Sequence, residues 1–222
     1  MAEETATSIS ERPSDGNGFW PRIGKVAWLS ILLGLSMELL AVGAMTVFGK
    51  VPGLREVVAD TVHKVSWGTF VCVGVAAGTA ASKARVPVGG LAGLLSAPIA
   101  FTIARAVHKS VAQALALVPQ ASGVLSPLLL AIVKGLEYAV LGSAISWIMD
   151  RRQGGVRSYI GFGMLCGVVF GGAVLALTAT LSPSPPPLSK LVSLGINEVL
   201  FPVGCSIVLY ISRTAGSYFG KK

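Results

Sequence analysis

The chain has 222 residues, of which 53% are hydrophobic and only 13% are charged, and its mean hydropathy is +0.72. Soluble domains carry roughly 25% charged residues, so this composition predicts an all-α integral membrane protein and argues against a soluble domain. The net charge is +8, but the basic residues are scattered between apolar segments and make no basic face. It therefore indicates cations that flank membrane spans and excludes nucleic acid as the expected partner.

Both ends of the chain are polar. Residues 1–24 include an acidic, serine-rich stretch that lacks the basic start and cleavage site of a signal peptide, which predicts a disordered cytoplasmic tail. Residues 25–213 form the predicted polytopic transmembrane domain. Residues 214–222 form a short basic tail, also predicted to be cytoplasmic.

About six stretches are apolar and long enough to span a bilayer, which takes about 20 residues. In chain order they cover residues 25–50, 66–82, 88–107, 126–149, 158–181 and 190–213. Small residues weaken the second and third, so the alternative for this pair is a short hairpin that enters and leaves on one side. Residues 51–65 have apolar side chains at helical spacing and predict a short interfacial helix. Lysine and arginine are more frequent on the side of the termini, which places both termini in the cytoplasm.

The two halves of this span pattern resemble each other. A glutamate is followed five residues later by a glycine in the first span, at Glu38, and in the fourth, at Glu137. The third and sixth spans each contain a proline, Pro98 and Pro202. Because each half has three spans, the second half would be inverted, and this favours a 3+3 inverted repeat with a site near the midplane. The alternative is chance similarity between glycine-rich apolar spans.

Glycines four residues apart give several predicted spans a face of small residues. Helices in lipid associate by close van der Waals contact, which such faces permit. The predicted helix-packing residues are Gly74, Gly78, Gly163, Gly167 and Gly171. We expect tight packing inside the bundle or between protomers, so the expected partners are the lipid bilayer and either further copies of this chain or other membrane subunits.

Four ionisable side chains lie inside predicted spans: Glu38, Lys134, Glu137 and Glu198. A charge at the bilayer centre costs about 2.5–3.5 kcal/mol on insertion scales, so these side chains should face the bundle interior. Lys134 and Glu137 share a helix face and can pair. As the only cation at this depth, Lys134 leaves two glutamates to be balanced by protons, a bound cation or water. Arg105 or His108, at the end of the third span, would supply part of this balance by reaching inward.

These buried charges predict a small multi-pass transporter or channel for a cation, proton or small solute in the plasma or inner membrane. Its substrate-binding or ion-binding residues would be Glu38, Lys134, Glu137, Asn197 and Glu198. The alternative is a non-catalytic membrane subunit, an anchor or assembly component of a larger complex, in which the same charges lock helices together. A solute-capturing component of a multi-subunit importer lies between these two hypotheses.

Enzyme signatures are not found in the sequence. It has no H-E-x-x-H, no G-x-S-x-G and no Walker-type phosphate loop. Cys72, Cys166 and Cys205 lack the spacing of metal ligands and are interpreted as packing residues. We therefore expect neither catalysis nor a bound metal, and the sequence identifies no cofactor.

Overall fold

A computed structural model describes residues 19–80, 85–118, 125–151, 154–184 and 186–219. These residues form six helices and no strand, so the all-helical class predicted from the sequence is confirmed. The helices are α1 (Phe19–Val47), α2 (Leu54–Ala80), α3 (Arg85–Ala114), α4 (Pro127–Asp150), α5 (Val156–Leu181) and α6 (Leu188–Phe219). A π turn at Gly167–Gly171 interrupts α5. Residues 1–18 of the predicted N-terminal tail and residues 220–222 of the C-terminal tail lie outside the described residues.

Among the described helices, all but α2 are long and apolar enough to cross a membrane. They expose large apolar side chains such as Trp28 and Leu39, which are 69% and 74% exposed. Contiguous apolar surface of this kind is stable against lipid tails and unfavourable in water. The chain is therefore a helical membrane protein.

The remaining helix, α2, is covered by protein. From residue 61 to residue 80 only Phe70 is exposed, because α2 packs between α1 and α3 along its length. Residues 54–65 are part of this one continuous helix, so the prediction of a separate interfacial helix was wrong. α2 and α3 are 27 and 30 residues long, which is longer than the short hairpin considered from the sequence.

Successive helices are antiparallel. Arg22 in the first turns of α1 lies 3.4 Å from the hydroxyl of Thr79 at the end of α2, and Arg213 near the end of α6 donates to Tyr159 at the start of α5. The helices pack in chain order as a closed ring, in which α6 returns to α1. α2, α4 and α6 also contact one another in the middle of this ring. Since one antiparallel helix separates each from the next, these three inner helices run in the same direction.

The glycine faces lie at the closest helix contacts. A Cβ atom on Gly78 would lie 2.2 Å from the Cβ of Ala92 on α3, and one on Gly167 would lie 2.2 Å from the carbonyl oxygen of Val199 on α6. The other predicted packing glycines make similarly close approaches, namely Gly74, Gly163 and Gly171. Small residues at these positions let α2 pack on α3 and α5 pack on α6 inside the bundle.

Candidate functional site

Five charged side chains are buried in the described part of the chain. They are Glu38, Lys64, Lys134, Glu137 and Glu198. All four charged residues predicted to line a site are therefore inside the bundle, and one further residue, Lys64, was missed. Burial of charged groups is costly unless they are paired and hydrogen-bonded, so the partners of each decide what the site can do.

The first ion pair joins α1 to α2. The Lys64 ammonium donates to the Glu38 carboxylate, so the prediction that Lys134 is the only cation at this depth was wrong. Lys64 was missed because its segment contains several other polar residues and was assigned to the membrane surface. A helical stripe that joins Lys64 to Trp67, Val71 and Val75, all buried on α2, was the available signal.

The second ionic cluster joins α4 to α6. The Lys134 ammonium nitrogen lies 2.7 Å from Oε2 of Glu137, as their spacing predicted, and 2.6 Å from Oε2 of Glu198. Glu137 is fully buried, yet its second oxygen, Oε1, has no hydrogen-bond partner among the described residues. Asn197 lies beside Glu198 in the sequence and is half-buried. Its Oδ1 atom likewise lacks a partner in the described ranges.

An aromatic cluster lies where four helices converge. The Trp67 ring of α2 packs edge-to-face against Phe101 of α3, Tyr138 of α4 and Phe201 of α6, with ring centroids 5.7–6.4 Å apart. Trp67, Tyr138 and Phe201 are buried. Edge-to-face aromatic contacts at these distances are favourable, and the cluster fills the centre of the bundle.

The buried charges form one layer beside this aromatic cluster. In each inner helix a charged residue lies three or four positions before the aromatic residue of the cluster. These charged residues are Lys64, Lys134 and Glu198. The inner helices are parallel and rise about 1.5 Å per residue, so the three charges lie about 5 Å from the rings on the same side. Glu38 and Glu137 are bound to the two lysines. We call these five residues the charged layer.

The charged layer is not neutral when every group is ionised. It holds three carboxylates and two ammonium groups among the described buried side chains. The excess is therefore one negative charge, and not the two inferred when Lys64 was overlooked. One unbalanced carboxylate in the interior of the bundle is expensive, and a proton, a bound cation or water would lower that cost.

A small polar cluster lies next to the charged layer, on the side opposite the aromatic cluster. His108 Nε2 on α3 lies 3.1 Å from Oδ1 of Asp60 on α2, whose side chain is 53% exposed. The rings of His108 and His63 are 5.5 Å apart, and His63 adjoins Lys64 in the sequence. His108 thus pairs with Asp60 and does not reach the charged layer, contrary to the sequence-based expectation.

Arg105 also remains outside the charged layer. Its side chain is exposed and lines a groove between α3 and α4.

Comparisons with family models, curated proteins and solved structures find no match for this chain.

The described residues offer proton-binding groups in this region. No group of three His, Cys, Asp or Glu side chains in the described ranges is arranged to hold a metal ion. The free oxygen of Glu137 can take up a proton, while its other oxygen keeps the contact with Lys134. Protonation there would neutralise the charged layer and would leave the Lys64–Glu38 and Lys134–Glu198 ion pairs in place.

Proposed function

We propose that this protein is a multi-pass membrane transporter or channel for a cation, proton or small solute, and that a proton is the species bound in the charged layer. The observation that carries the proposal is the excess of one carboxylate over the buried lysines, together with the free oxygen of fully buried Glu137. The full burial of Glu137 favours a proton, because a hydrated cation or solute would need open space beside the carboxylate.

The surroundings of the charged layer support vectorial movement. Asp60, His108 and His63 provide titratable groups between solvent and Lys64 on one side. The aromatic cluster around Trp67 closes the other side. Titratable groups on one side of the charged layer and packed rings on the other would let protons enter from one side only, as a transporter needs in one of its alternating states.

The proposal includes six spans, with α2 crossing as the inner helix, arranged as an approximate 3+3 inverted repeat. Support comes from the pairing of α2 with α3 through Gly78, which parallels the pairing of α5 with α6 through Gly167. The first helix of each half also carries a buried glutamate bound by a lysine. In a 3+3 repeat α1, α2 and α3 correspond to α4, α5 and α6. The repeat is approximate because α2, α4 and α6 lie in the middle of the bundle, whereas their counterparts α5, α1 and α3 do not.

We further propose that the protein resides in the plasma or inner membrane with both termini in the cytoplasm, on the basis of its lysine and arginine distribution. Asp60 and His108 would then face the outside. Transport needs no covalent chemistry, so we propose no enzymatic activity. The glycine-rich, apolar helices are compatible with a homo-oligomer or with partner membrane subunits.

The test is proton flux into liposomes that contain the purified protein and an internal pH-sensitive dye. We expect Glu137→Gln to reduce flux to the rate of protein-free liposomes, because an amide cannot take up the proton while it retains the shape of the carboxyl. Glu38→Gln should also abolish flux. The matched control is Glu56→Gln, the same substitution at an exposed residue at the start of α2, which should transport like the wild type.

Normal flux in both Glu38→Gln and Glu137→Gln would eliminate the proposed site. The second candidate function is a non-catalytic membrane subunit, and it is favoured by the fact that the ion pairs join α1 to α2 and α4 to α6. For that function we expect no flux from the wild type, stable co-purification with a membrane partner and degradation in its absence. A lone, monodisperse protein with proton flux would contradict it.

A further inference from the structure

A groove between α3 and α4 has the chemistry of a lipid site. It is an open groove with a volume of about 360 Å³, and it is lined by Phe101, Arg105, Ala106, Lys109, Leu128 and Ala131, among others. Phe101, Arg105 and Lys109 succeed one another at intervals of four residues, so they form one stripe along α3. The groove lining is thus apolar, and the cationic groups of Arg105 and Lys109 stand at one end of it.

The cationic end lacks a counter-charge within the described chain. Arg105 and Lys109 are exposed, and no carboxylate in residues 19–80, 85–118, 125–151, 154–184 or 186–219 forms an ion pair with either. α4 begins beside them at Pro127, and the start of a helix carries partial positive charge. Two adjacent cations and a helix start together favour an anion at this end.

The apolar end extends into the bundle. Phe101 belongs to the aromatic cluster, and Ala131 lies one helical turn before Lys134 on α4. An occupant must therefore combine an anionic group with a long apolar portion. A free inorganic anion would leave the apolar end unfilled, and a neutral lipid would leave Arg105 and Lys109 without a counter-ion.

We propose that this groove binds an anionic phospholipid, with the phosphate at Arg105 and Lys109 and an acyl chain along Phe101, Leu128 and Ala131. The two cations lie in the last turns of α3, where basic side chains commonly meet lipid headgroups. This site is independent of whether the protein transports protons.

The experiment is native mass spectrometry of the purified full chain with phosphatidylglycerol or phosphatidylcholine added in detergent. We expect phosphatidylglycerol to be retained in preference to phosphatidylcholine. The double variant Arg105→Gln/Lys109→Gln should bind phosphatidylglycerol about 30-fold more weakly, from two surface cations of ordinary strength. All positions changed are exposed, and thermal unfolding checks that each variant folds.

Two matched variants distinguish lipid binding in the groove from attraction of the lipid to surface charge in general. Lys50→Gln/Lys190→Gln removes two exposed cations from elsewhere on the chain and should bind like the wild type. Ala106→Phe fills the groove without altering its charge and should also lose the lipid. Three outcomes would each overturn the proposal. They are equal weakening of phosphatidylglycerol binding by the two double variants, no effect of Ala106→Phe on that binding, and equal retention of both lipids by the wild type.

Discussion

Lys134 is the residue on which two buried carboxylates depend. Its ammonium contacts Glu137 on its own helix and Glu198 on α6, at 2.7 Å and 2.6 Å. Removing one partner of a buried ionic cluster lowers the free energy of unfolding by more than the intact cluster contributes to it. The reason is that the remaining charges stay buried without compensation. Lys134 should therefore be less tolerant of substitution than either carboxylate.

We expect Lys134→Met to destabilise the protein by about 3–5 kcal/mol, the range measured when one partner of a buried pair is removed. Methionine keeps much of the side-chain length but leaves Glu137 and Glu198 facing each other without a cation. The measurement is thermal or denaturant unfolding in detergent. Lys190→Met, at an exposed lysine of α6, is the control and should change little.

Restoring charge balance should recover stability. The double variant Lys134→Met/Glu198→Gln removes one cation and one anion from the cluster. It should be more stable than Lys134→Met alone, and a double-mutant cycle that also includes Glu198→Gln alone gives the coupling between the two residues. If the effects of Lys134→Met and Glu198→Gln on the free energy of unfolding simply add in the double variant, these two residues are not coupled.

At the scale of helices, close packing of α5 on α6 depends on glycine in the interrupted part of α5. We expect Gly167→Ala to destabilise the protein by about 1–3 kcal/mol through overpacking, since the added methyl would lie 2.2 Å from the Val199 carbonyl oxygen. Unfolding in detergent checks this.

Gly172 provides the matched control on the same helix. A methyl added there meets nothing within 4 Å, so Gly172→Ala should be neutral or stabilising by the usual helix preference for alanine of about 1 kcal/mol. Equal effects of Gly167→Ala and Gly172→Ala would show that α5 and α6 do not depend on this contact.

The contacts that the sequence predicted are local ones. The Lys134–Glu137 pair follows from spacing on one helix, and the glycine faces follow from residues four apart. The pairing of Lys134 with Glu198 and of Lys64 with Glu38 depends on how each helix is rotated about its axis and on which helices are neighbours. Residue spacing within one helix determines neither the rotation of that helix nor its neighbours. These contacts are therefore seen only in the structure of the whole bundle.

For the whole molecule, the deciding question is whether α2 crosses the membrane. We expect cysteines introduced at Lys50, before α2, and at Val118, after α3, to react with a membrane-impermeant maleimide from the same side. A cysteine at Arg151, after α4, should react from the opposite side. Native Cys72, Cys166 and Cys205 are buried, and their replacement by alanine removes residual labelling.

The reactivity of Lys50→Cys and Val118→Cys from opposite sides would contradict the six-span arrangement, since only one crossing would then separate them. Val118 is 85% exposed, so its labelling reports sidedness and not burial. Phe19→Cys, at the start of α1, should match Arg151→Cys and serves as the control for the side of the N-terminus.

Hydropathy identified the helices that face lipid and described α2 poorly, for a physical reason. A helix enclosed by protein needs no lipophilic surface, so α2 can carry Lys64 and Trp67 where an outer helix would carry leucine. Five of the six described helices are long and apolar enough to cross a membrane, and their apolar side chains face outward. The sequence predicted a span at residues 66–82 of α2 but did not show that neighbouring helices cover it.

The enclosure of α2 also bears on how this protein is made. In the six-span arrangement, α2 would leave the ribosome with Lys64 and a mean hydropathy too low for it to partition into lipid alone. α1 precedes it and carries Glu38, which neutralises Lys64. α1 and α2 should therefore enter the bilayer as a pair, with α1 held beside the translocation machinery until α2 has been synthesised.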